Sequence, residues 1–133
     1  MTEAGLGVCD DLAMVGSFDM ASSRRAMADL LARAGEPPTA VFADSDEMAI
    51  GAILAINDAG LRVPQDISVI GIDDHDLSES FGLTTVAQDP FAQGALAVKT
   101  LLDELAGRTT RPRSVRHPVH LIERTSTAPP RPR

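Results

Sequence analysis

The sequence predicts an α/β domain in which a parallel sheet is flanked by helices. Three observations carry that prediction. Two short apolar runs, Ala40–Ala43 and Ile67–Ile72, read as buried strands. A helical run, Asp46–Ala59, lies between them. Each strand run is followed at once by short acidic and polar side chains, Asp44-Ser45-Asp46-Glu47 and Asp73-Asp74-His75-Asp76. In an open parallel sheet, ligands bind outside the carboxyl ends of the strands. The two acidic clusters are therefore expected to face one crevice.

The elements follow in order. TEAGLG near the N-terminus reads as a helix end, with Gly5 as a left-handed cap and Leu6 after it. Ser22–Ala34 repeats Ala26, Met27, Leu30, Leu31 and Ala34 at helical spacing, with Ser22 or Ser23 to cap it and Gly35 to end it. Pro37-Pro38 breaks the chain before a short strand, Thr39–Ala43. The helix Asp46–Ala59 closes at Gly60, with Leu61 following and Pro64 preventing continuation. It is apolar almost all round, whereas a helix lying on a sheet needs one apolar stripe. The second face needs its own cover, and a subunit interface through Met48, Ala52, Ile53, Ala55 and Ile56 is the expectation; the alternative is a helix sandwiched in a core. Ile67–Ile72 is nearly unbroken in its hydrophobicity, which suits a parallel strand covered on both faces. Asp73–Leu83 reads as a polar loop. Phe91–Leu105 forms a third helix with the stripe Phe91, Ala95, Val98, Leu102 and Leu105, ended by Gly107. Val115–Ile122 reads as a last strand, and Thr125–Arg133 as a frayed end.

Composition sets limits. The 133 residues suit one domain, and 44% apolar residues suffice for a core. No run reaches the roughly 18 apolar residues of a membrane span, and the N-terminus does not read as a secretory signal. The single Cys9 cannot pair within the chain, which fits a cytoplasmic setting. Residues 1–107 carry 18 acidic and 5 basic side chains, a net of −13, while residues 108–133 carry 7 Arg and 1 Glu, a net of +6. So acidic a body repels a phosphate backbone and is a poor direct DNA binder. The basic end reads as a strand and a solvated Pro/Arg-rich tail.

Asp44-Ser45-Asp46 opens a helix, so one of the three is spent on free backbone N–H groups; the others are free to face a ligand. Asp73 is the sharper candidate. A carboxylate at a strand end needs donors, and the only lysine, Lys99, lies on the third helix. Neighbouring sugar hydroxyls, amine hydrogens or a distant Arg would satisfy it. His75, His117 and His120 lack metal-site spacing, and no metal or cofactor is expected. One enzyme reading arises from VFADSD, which resembles the nucleophile strand of haloacid-dehalogenase-type phosphatases and would use Asp44 and Asp46. Met48 departs from that pattern, and too few residues separate Asp46 from Asp73 for the rest of it.

Three segments carry a more specific resemblance: PTAVFADSDEMAIGAILAINDAGLRVPQDISVIGIDD, LTTVAQDPFAQGALAVKTLLDEL and HPVHLIERTST. With GSFDMASSRRAMADLL they cover most of residues 15–127, and they resemble the lactose-repressor/galactose-repressor (LacI/GalR) family of transcription regulators. The resemblance implies a partial type I periplasmic-binding-protein-like fold over residues 1–127, mostly its C-terminal subdomain, with a crossover helix near 90–106 and a flexible tail at 128–133. It implies a small effector, a sugar or nucleobase, that alters operator binding by a helix-turn-helix headpiece absent from these residues, and assembly as a dimer or higher oligomer. It places Phe18 on the ligand ring, Ser45, Asp46 and Asp73 on its polar edge, and Gln88 at the hinge side of the cleft. It also implies that the third helix packs on an N-terminal subdomain and that an effector-binding Arg would precede Met1. A transport solute-binding protein is the rival with the same fold.

Overall fold

In the computed structural model, which describes residues 10–33, 35–108 and 114–130, a four-stranded sheet runs in the order β1-β2-β3-β4. The strands are β1 (Ala40–Phe42), β2 (Ser68–Asp73), β3 (Thr84–Ala87) and β4 (His120–Ile122). The first three are parallel, with Val41 beside Val69 and Gly71 beside Thr85; β4 runs antiparallel to β3, with Leu121 opposite Val86. The sheet is thus mixed at one edge. Three helices accompany it: α1 (Met20–Arg33), α2 (Asp46–Asp58) and α3 (Pro90–Leu105). A 3₁₀ turn at Asp10–Leu12 precedes them. The expected helix end at Gly5 and Leu6, and Cys9, fall outside the described residues.

The α1 helix begins earlier than its serines suggest. The Asp19 carboxylate accepts the Ser22 N–H at 2.8 Å and caps the first turn. Ser23 instead turns inward, 5% exposed, and its hydroxyl donates to the Met20 carbonyl. That serine marks the closest approach of the two first helices. A Cβ on Gly51 of α2 would overlap Ser23 Oγ and the Met20 carbonyl oxygen, so glycine lets the two backbones meet.

Consequently α2 is covered within the chain. It lies on β2 and also packs along α1. Ala52, Ile53, Ala55 and Ile56 are at most 5% exposed, and Met48 is half-buried. The expected subunit interface on these residues is corrected: α1 supplies the second cover, and the helix is a core helix. Met27 and Leu30 of α1 and Ile67, Val69 and Leu83 around the strands complete this core. A fully buried side chain of this size stabilises by about 1.5–3 kcal/mol. The end of α2 forms as its sequence indicates. Gly60 has φ +75°, its N–H donates to Asn57 O, and the Leu61 N–H donates to Ile56 O, the paired bonds of a Schellman motif. Gly107, at φ +67°, ends α3 in the same way.

The sheet is covered on one face only among the described residues. Val69 and Gly71 point to α2 and are buried, whereas Ile70 and Ile72 alternate with them and are half-buried. The apolar run in β2 therefore does not mean burial on both faces here. Phe42 and Leu121, level with that second face, are 61% and 63% exposed. No residue of α3 is buried, and its apolar stripe lies open, with Phe91 87% and Leu105 76% exposed.

Two loops prove more ordered in pattern than the sequence suggests. Directly after the expected loop Asp73–Leu83, TTVA, to which the sequence reading assigned no element, forms β3. The C-terminal stretch read as frayed is fixed from Thr125 to Ala128. The Val69 N–H donates to Ser126 O, Ser126 Oγ bridges Val69 O and the Thr84 N–H, and the Ala128 N–H donates to Ser68 Oγ.

Candidate functional site

Because β1, β2 and β3 are parallel, their carboxyl ends share one edge of the sheet. Asp44 to Asp46 follow β1, Asp73 to Asp76 close and follow β2, and Gln88 follows β3. Register places Asp73 beside Ala87, so Gln88 is the next residue along. Its side-chain Nε2 donates to Asp73 Oδ1 at 2.8 Å, and both side chains are exposed. Two of the five expected ligand residues are thus in contact. Together they present carboxylate oxygens that accept and an amide that both accepts and donates, a set suited to hydroxyls or ring nitrogens.

The backbone at this point is unusual. Asp73 has φ +116° and Asp74 φ +58°. A non-glycine residue held there costs about 1–3 kcal/mol and persists only where its surroundings over-determine it. Several bonds do so. Arg124, two residues past the end of β4, donates to Asp74 Oδ1 at 2.7 Å and to the Leu83 carbonyl at 2.7 Å. The Asp74 N–H points to Thr85 Oγ1 at 3.3 Å. Arg124 therefore serves the second aspartate, leaving Asp73 to Gln88.

Ser45 and Asp46 are placed differently from the expectation. Ser45 is 7% exposed, and its hydroxyl accepts the Met48 N–H at 3.2 Å as the cap of α2. Asp46 has no exposed surface. Its Oδ2 accepts the His75 N–H at 2.9 Å and the Ser78 hydroxyl at 2.5 Å, and its Oδ1 accepts the Thr85 hydroxyl at 2.6 Å. Strand parity explains the arrangement. Gly71 and Thr85 are neighbours on the α2 face, so a missing Cβ leaves room for the carboxylate and a hydroxyl meets it. A Cβ on Gly71 would overlap Asp46 Oδ1. Both residues thus serve the protein's own backbone and loop instead of open space, which corrects the expectation that they face a ligand. It also removes the second carboxylate that the phosphatase reading requires.

Phe18 sits in a turn before α1 with φ +53° and is 67% exposed. A Cβ on the preceding Gly16 would come 2.6 Å from Met48 Cε in the first turn of α2. The Phe18 turn therefore stands at the same edge as the strand ends. Asp44 is exposed there too. Among the described residues no three His, Cys, Asp or Glu side chains converge as a metal site would require.

A groove of about 570 Å³ opens on the other side of Gln88, between α3 and the segment around Val115 to Val119. Leu96, Ala97, Leu101, Val115 and Val119 share its lining with Gln88, Gln93, Thr100, Glu104 and His117. Only Gln88 joins it to the Asp73 pair. The strand-end edge joins a carboxylate to an amide on a turn braced by Arg124, and that pairing favours it over the groove.

Of the expected ligand residues, Asp73 and Gln88 meet in the structure and Phe18 stands exposed; Ser78, Thr85 and Arg124, which bond to Asp46 and Asp74, were not singled out in the sequence. Thr85 and Arg124 reach the site through the pairing of β3 with its two neighbours, and no local spacing announces it.

A family profile described as a periplasmic binding protein-like domain matches residues 1–127. The repressor PurR of Escherichia fergusonii is 42% identical over 130 residues, which are 96% of this chain and 38% of that protein. Among solved structures, the regulator CelR in complex with cellobiose superposes with a TM-score of 0.86 at 35% identity, covering 94% of this chain and 38% of that one. A lac repressor dimer bound to operator and the anti-inducer ONPF gives 0.78 at 35% identity, covering 84% and 39%. The chain spans 38% of the length of the curated relatives it matches first. These relatives are transcription regulators, so the enzyme and transport readings lapse. The chain belongs to the periplasmic-binding-protein-like effector domains of LacI-type transcriptional regulators.

Proposed function

We propose that the strand-end edge is one wall of an effector site, and that the ligand is a small polar ring, a sugar or a nucleobase-like compound. The Asp73–Gln88 contact carries the reading: a hydrogen-bonding pair held on a strained turn at the carboxyl edge of a parallel sheet. Asp73 accepts from the ligand's hydroxyl or N–H groups, Gln88 reports its presence from the start of the crossover, and Phe18 stacks on the ring. The cellobiose complex of the related CelR supports a sugar. The operator-bound lac repressor dimer supports an output through DNA affinity and a dimeric assembly. In the intact regulator, the remainder of the effector domain supplies the facing wall and covers α3. The ligand favours one cleft geometry over another and shifts that equilibrium by its differential affinity.

The test is a melting-temperature screen of the intact regulator with cellobiose, ribose, adenine and guanine. A ligand at about 100 times its Kd stabilises by about 2.7 kcal/mol. At least one compound should raise the melting temperature, and Asp73→Ala should remove that response while leaving the unliganded melt within a few degrees. An equal response in Asp73→Ala would exclude the residue from the site.

A further inference from the structure

We infer that Asp46 is a positioning residue: its buried carboxylate holds the turn that aims Asp73. The inference rests on the reading of Asp73 as ligand-facing and assigns Asp46 a role without ligand contact.

The geometry is a clamp on the two residues after Asp73. Asp46 Oδ2 takes the His75 N–H directly at 2.9 Å. Asp46 Oδ1 takes the Thr85 hydroxyl at 2.6 Å, and Thr85 Oγ1 in turn faces the Asp74 N–H at 3.3 Å. Ser78 at the far side of the loop donates to Oδ2 at 2.5 Å. One carboxylate thus fixes two successive backbone amides and the loop that follows. Those amides belong to or adjoin the two consecutive non-glycine residues with φ +116° and +58°. An unsupported chain would leave those conformations. An ionised carboxylate only accepts, and here three donors face its two oxygens. With no exposed surface, it has no solvent to replace them. Gly71 belongs to the same device, since any side chain there would fill the space of Oδ1. Arg124 braces Asp74 from the opposite side through its side chain, so it does not substitute for the amide contacts.

The deciding experiment measures residue-resolved amide exchange in Asp46→Ala and in the nearly isosteric Thr85→Val. Affinity for whichever of cellobiose, ribose, adenine and guanine the parent binds is measured in parallel. Asp46→Ala should speed exchange at Asp74 and His75 by about 10- to 100-fold, with α1 amides changed far less. Thr85→Val should do so at Asp74 alone, and it keeps the inference open to refutation if Asp46→Ala does not fold. Affinity should fall at least about tenfold in both. Asp46→Asn, which keeps one acceptor for the His75 N–H, should recover protection there. Unchanged exchange at Asp74 and His75, or an equal rise across the whole chain, would overturn the inference. So would altered exchange with unaltered affinity while Asp73→Ala abolishes binding. If Asp73→Ala also leaves affinity intact but the amides open as described, the clamp stands and the ligand role of Asp73 is what fails.

Discussion

Gly71 shows how a single residue shapes the site without touching a ligand. In β2 its α2-facing side meets Asp46 Oδ1, and an added Cβ would also come within 3.2 Å of Ala49 Cβ. Neither neighbour can give way easily, because Asp46 is held by three donors and Ala49 is fully buried. Gly71→Ala should therefore destabilise the fold by about 1–3 kcal/mol, read as a lower urea midpoint at unchanged slope. A midpoint equal to the parent's would contradict the close approach. At this scale the sequence is informative about which residues matter and weak on where they point. Asp73 was legible as a candidate because it ends an apolar run. The inward turn of Asp46 was not, because its partners Ser78 and Thr85 lie 32 and 39 residues away.

Among the elements, α1 and α2 form from local signals that the sequence displays plainly, but their relation does not. The apolar circumference of α2 announced two covers; that α1 supplies the second follows from the glycine at position 51, whose meaning appears only with Ser23 against it. β3 escaped notice because four residues with two threonines, TTVA, carry neither a long apolar run nor alternation. The start of α1 offers a pH test. Hydrogen bonds from Ser22, its side chain first and then its backbone, hold the Asp19 carboxyl below its ordinary range. A lowered folded-state pKa means that this contribution is complete above the unfolded value and is lost as pH falls through the folded one. Exchange protection of the Ser22 amide should thus decline on acidification below about pH 4. Asn also caps helices but does not ionise, so Asp19→Asn should remove this titration and keep the helix. Identical acid profiles in parent and variant would refute the cap's role.

The whole molecule has one covered and one open side. A core built on α2 fixes the carboxyl edge of the sheet, while the Phe42–Leu121 face and the α3 stripe remain exposed. Open apolar areas of this kind mark contact surfaces, and they are where this chain would meet the rest of an effector domain. Two places then compete for a ligand: the strand-end edge and the groove along α3, which share Gln88. The central claim is that the ligand takes the first. The most direct measurement is a crystal structure of the regulator with a compound that raises its melting temperature. The account predicts ligand oxygen or nitrogen atoms about 3 Å from the Asp73 carboxylate and the Gln88 amide. A ligand lying instead against Leu96, Thr100 and Val115, with Asp73 still bonded only to Gln88, would contradict it.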